Sequence, residues 1–71
     1  MEVFMDLRNL KFKLDCVDYF TDQLGKKASK KGGKASVIDV WDVEDMLEKK
    51  FGLNDRQSGL VSALAINIHF S

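Results

Sequence analysis

Seventy-one residues, 45% of them hydrophobic and 31% charged, make one soluble globular domain spanning 1–71 and are too few for two. Eleven basic and eleven acidic side chains cancel, so bulk electrostatics point to neither a polyanion nor a membrane surface. With one cysteine, Cys16, and one histidine, His69, the chain has no internal disulfide and no Cys/His set for a structural zinc.

A core of this size is expected to supply only about 3 to 5 kcal/mol, which leaves self-association or a partner as the remaining source of support. A lone thiol fits a reducing compartment. The longest apolar run falls short of the roughly 20 residues that span a bilayer. Because no basic-then-apolar leader opens the chain, a cytoplasmic location is expected.

Residues 3 to 24 carry Val3, Leu7, Leu10, Leu14, Val17, Thr21 and Leu24 at alternating spacings of four and three, a heptad seam with one polar interruption. The spacing predicts a long helix, stopped near Gly25. Leu10 to Asp15 also alternates strictly between apolar and polar, which keeps a short strand or hairpin near residues 2 to 16 as the alternative. On the helical reading, Met5, Phe12 and Tyr19 recur every seven residues away from the seam. A second apolar line of this kind suggests burial from both sides or docking to another surface.

The basic segment 25–35 follows, with Lys26, Lys27, Lys30, Lys31 and Lys34, no acid, and Gly25, Gly32 and Gly33. Like charges and glycines oppose compact order, so it reads as a mobile loop, or as an extension of the first helix to about Lys31.

Ser36 then opens a second helix, with Asp39 at the capping-box position and a core stripe of Val40, Val43, Leu47 and Phe51, widened by Val37 and Met46. Asp39 and Asp42 near its start and Lys49 and Lys50 near its end match the macrodipole. Gly52 is placed for the left-handed turn that ends a helix, letting Leu53 pack back. Asn54, with Gln57 three residues on, caps a third helix whose Leu60, Leu64 and Ile68 are expected to meet the second helix's stripe. That last segment is apolar almost all round, which implies burial that a chain this small does not readily provide. The alternation of Ala65 to Phe70 leaves a closing strand as its alternative.

Four chemistries can be set against these patterns. The hairpin around Gly52 resembles a helix-turn-helix in outline, but its second helix offers only Arg56 and Gln57 to base edges, and the preceding helix is acidic. The five lysines could contact nucleic acid or another anion in a salt-dependent, sequence-blind way, yet no aromatic residue is interleaved for stacking. The lysine segment also fails the phosphate-loop pattern, with Ala28 and Ala35 where a glycine and a hydroxyl belong. Asp39, Asp42, Glu44, Asp45 and Glu48 lie on a helical pattern rather than at calcium-loop spacing, and read as a solvated acidic face. Cys16 and His69 would need the fold to unite them, with no third group to orient the histidine.

The expected fold is therefore all-α: a small three-helix domain with a C-terminal αα-hairpin, against the α+β alternative with a short N-terminal strand or hairpin. The expected function is non-enzymatic protein binding, as a small adaptor, inhibitor or regulatory subunit that self-associates as a homodimer, with no cofactor and no metal. Met5, Phe12, Tyr19, Trp41, Leu60, Ile66 and Phe70 are its candidate contact residues, Trp41 because tryptophan is enriched at interfaces. The alternative is nucleic-acid binding through Lys26, Lys27, Lys30, Lys31 and Lys34.

Overall fold

The computed structural model describes residues 9–69, which form three α-helices: α1 (Leu10–Lys30), α2 (Val37–Phe51) and α3 (Asp55–His69). No strand occurs among the described residues, so the alternating stretches Leu10–Asp15 and Ala65–His69 are helical and the strand-containing alternative is set aside. Each helix packs on both of the others. No helix among the described residues is long and apolar enough to cross a membrane.

Local chemistry sets the helix boundaries from the start of α1 to the start of α3. Asn9 caps α1, its side chain accepting from the Phe12 backbone N–H at 3.0 Å. The helix runs through Gly25 and ends only at Lys30. There Gly32 N–H reaches Ser29 O and Gly33 N–H reaches Ala28 O at 2.7 Å, a closing pair that uses the positive φ of both glycines. The expected mobile stretch 25–35 is thus half helix, and the linker proper is residues 31–36.

Ser36 and Asp39 form both bonds of the capping box on α2. Asn54 and Gln57 do the same for α3, with Gln57 N–H donating to Asn54 Oδ1 at 2.8 Å and Asn54 N–H to Gln57 Oε1 at 3.0 Å. Between them Gly52 adopts φ 71°, ψ 35°, and Leu53 N–H donates to Glu48 O while its side chain enters the core. A Cβ on Gly52 would meet nothing within 4 Å, so any cost of substitution there is backbone strain. Gly52→Val is expected to lower stability by roughly 1 kcal/mol or more, read as a lower urea midpoint. An unchanged midpoint would show that the corner tolerates a different turn.

The core consists of Cys16, Val17, Phe20 and Leu24 from α1, Val43 and Leu47 from α2, Leu53 from the corner, and Val61 and Ala65 from α3. Two expectations about facing are corrected. On α1 the buried line is rotated from the heptad seam, leaving Leu10 and Leu14 exposed. Phe12 and Tyr19 instead rest on Phe51 in edge-to-face contacts, with ring centroids at 5.5 and 5.7 Å, and Lys50 Nζ lies over the Tyr19 ring. On α3, Leu60 and Ile68 face outward, while Ser58, Val61, Ser62 and Ala65 turn inward.

The reason lies in α2. Glu48 Oε2 accepts from Ser58 Oγ and Glu44 Oε2 from Ser62 Oγ, both at 2.6 Å. Two acids one turn apart therefore meet two serines one turn apart, which fixes the antiparallel register of the hairpin. Small side chains at that seam let the helices approach closely, and charge-assisted bonds of this kind are stronger than neutral ones. Glu44 and Glu48 are consequently part of the helix packing and do not belong to a solvated acidic face.

Candidate functional site

The site is built at the start of α2. Asp39 is buried there, taken up by the Ser36 backbone N–H at 2.9 Å and by Lys31 Nζ at 2.9 Å to each carboxylate oxygen. The Ser36 amide first, then the Lys31 ammonium, holds its carboxyl below the usual carboxylate range. These bonds join the end of α1 to the beginning of α2 and fix the rotation of α2's first turn.

That rotation decides what faces water. A helix advances about 100° per residue, so residues two positions either side of Asp39 point about 160° away from it. Val37 and Trp41 occupy those positions, with Ile38 between them on the outer surface. Their exposures are 62%, 62% and 63%. Val37 had been expected to widen the core stripe, and the capped, anchored Asp39 turns it outward instead. Part of the signal was present in the sequence: positions 38 and 41 lie on the face opposite Val43 and Leu47, whereas Val37 lies nearer the Glu44 side of the first turn. Exposed Asp42 and Asp45 border the apolar group.

The remaining candidate residues do not form one surface. Ile66, one turn beyond Ser62, is carried by the hairpin register to the level of Trp41, and is half-buried against the core. Leu60 is exposed but lies toward the Gly52 end of α3. Phe12 and Tyr19 are engaged with Phe51. Met5 and Phe70 lie outside the described residues.

Of the lysines, Lys26 pairs with Asp22 at 3.3 Å and Lys31 with Asp39. Lys30 and Lys34 are exposed and Lys27 is half-buried, none of the three with a carboxylate partner among the described residues.

Reactive groups are kept apart. Cys16 is fully buried in the first half of α1, its thiol pushed up to about 11 by burial and then by the neighbouring Asp15 carboxylate. His69 is exposed at the last turn of α3, at the opposite end of the bundle. No group of three or more His, Cys, Asp or Glu among the described residues is placed to hold a metal ion.

Comparison with protein-family models, curated proteins and solved structures finds no match for this chain.

The anchored carboxylate gives a pH dependence with a defined sign. A depressed aspartate pKa adds stability that is complete above the ordinary value near 3.9 and is lost as pH falls through the lower folded value. The urea midpoint of the wild type is therefore expected to fall below about pH 4 more steeply than that of Asp39→Asn, which lacks the titrating group. Parallel acid profiles for the two proteins would contradict the role given to Asp39.

Proposed function

We propose that this chain is a small non-enzymatic protein-binding module, an adaptor, inhibitor or regulatory subunit that self-associates through the outer face of α2. The observation that carries the reading is the side-by-side exposure of Val37, Ile38 and Trp41 on a helix whose opposite face already closes the core. Clustered apolar exposure beside a satisfied core supports an interaction surface, and tryptophan is a residue type enriched among the anchors of such surfaces.

Nucleic-acid binding is the weaker reading. Two of the five lysines in the basic segment are already neutralised by Asp22 and Asp39. The Gln57 side chain serves the α3 cap instead of standing free for a base edge.

Sedimentation equilibrium across a range of protein concentrations tests the self-association. The expected result is an average mass that rises above the monomer with concentration and returns to it in Trp41→Ala. A monomer at every concentration would remove this reading.

A further inference from the structure

The large hydrophobics left exposed among the described residues fall into two groups: Val37, Ile38 and Trp41 on the outer face of α2, and Leu10, Leu14, Leu60 and Ile68 on α1 and α3. We infer that the second group lines a groove between α1 and α3 whose occupant is the chain's own residues 1–8, folded back from Asn9 in extended form with Leu7, Met5 and Val3 over Leu60, Leu64 and Ile68.

The groove follows from the contacts that orient the helices. On α1, Phe12 and Tyr19 mark the flank turned toward α2, because both rest on Phe51. On α3, Ser58 and Ser62 mark the corresponding flank, because they bond to Glu48 and Glu44. Each helix packs on both of the others, so the opposite flanks of α1 and α3 face each other. At about 100° per residue, Leu10 and Leu14 stand roughly 140° to 180° round α1 from Phe12 and Tyr19, and Leu60 and Leu64 roughly 120° to 160° round α3 from Ser58 and Ser62. Ile68 continues the α3 line one turn on. Phe12, near the start of α1, meets Phe51 at the end of α2, and α3 turns back from that corner. The two helices therefore start at the same end of the bundle and run the same way.

Length and pattern name the occupant. The Asn9 cap starts α1 at Leu10, so Val3 and Leu7 do not continue its seam and their apolar surface needs other cover. Met1, Val3, Phe4, Met5 and Leu7 make most of this short segment apolar. From Asn9 back to Val3, extended chain reaches about 20 Å, which matches the rise of about 20 Å along α3 from Asp55 to Ile68. Alternate residues of an extended chain are about 6.6 Å apart, and helical residues four positions apart about 6 Å. Leu7, Met5 and Val3 thus keep step with Leu60, Leu64 and Ile68, while Glu2, Asp6 and Arg8 turn to water together with Phe4. With this groove closed from within, the outer face of α2 is the apolar group left for a second copy.

Two measurements on the full chain test the docking, and neither depends on the α2 face. Ile68→Cys sets a thiol at the far end of the groove, and buried Cys16 does not compete while the fold is intact. Its alkylation by iodoacetamide is expected to be several-fold faster when Met5→Asp is also present, with the helical circular dichroism unchanged. Equal rates in the two proteins overturn the proposal. Protection that appears only as the protein is concentrated assigns the groove to a second copy, and overturns it as well.

The second measurement leaves Met5 in place, so it decides the matter even where Met5→Asp disturbs the fold. Val3→Cys with Ile68→Cys is compared with Phe4→Cys with Ile68→Cys in a glutathione redox buffer. Docked as inferred, position 3 faces Ile68 and position 4 faces water, so the intramolecular 3–68 disulfide is expected to form with a several-fold higher effective concentration than 4–68. Equal values for the two pairs are those of a segment that does not dock in the groove, and contradict the inference.

Discussion

Phe20→Ala is expected to leave the protein largely unfolded at 25 °C. Phe20 is fully buried and heads the fully buried side chains in volume, at the centre of a core that also contains Val17, Leu47 and Val61. Truncating a buried phenylalanine costs about 3 to 5 kcal/mol, because transfer energy is lost and a cavity remains. A domain of this length has about that much stability in total. Circular dichroism should show most of the helical signal gone, with no cooperative urea transition. Phe20→Leu, which keeps most of the volume, should stay folded with a cost of about 1 kcal/mol. A Phe20→Ala protein with a near-native midpoint would mean that support comes from outside the described core.

The second large effect is on association, with the fold left alone. Ile38→Glu places a carboxylate within the exposed apolar group of α2, beside Trp41, while altering a residue that is exposed in the single chain. Burying an unpaired charge at the centre of a small interface is expected to cost at least about 2 kcal/mol, roughly a 30-fold weaker dimer. The urea midpoint measured at low concentration, where monomer dominates, should move by no more than about 0.5 kcal/mol, as for other surface changes. A variant that loses association and folding together would assign Ile38 to the core, against its exposure.

The parts of the structure that are legible from sequence are those governed by a few neighbouring residues. Ser36 with Asp39, Asn54 with Gln57, and Gly52 followed by Leu53 each satisfy orphan backbone groups within one turn, so residue type and spacing suffice to place them. Asn9 belongs to the same class, but the longer seam through Val3 and Leu7 drew attention past it. Facing is harder to read because it depends on distant partners. On α3, ranking by hydrophobicity favours Leu60 and Ile68 over Ser58 and Ser62. The serines win the inward positions because Glu44 and Glu48 wait one turn apart on α2.

On α1 the rings of Phe12 and Tyr19 looked like surplus apolar surface until Phe51 was placed between them. The outer face of α2 was half visible. Trp41 stood out by type, whereas Val37 was assigned to the core stripe and Ile38 was given no role. Helical periodicity already sets Ile38 and Trp41 opposite Val43 and Leu47, and the Lys31–Asp39 contact across the linker ties the first turn of α2 to the end of α1.

Trp41 is the only tryptophan in the chain, so its fluorescence reports on the proposed face without a label. The decisive measurement is its emission maximum and acrylamide quenching as a function of protein concentration, for the wild type and for Ile38→Glu. Burial of Trp41 against a second copy predicts a blue shift and reduced quenching as the wild type is concentrated, with Ile38→Glu remaining red-shifted and fully quenchable throughout. Emission and quenching that do not change with wild-type concentration, up to the limit of solubility, would contradict the account.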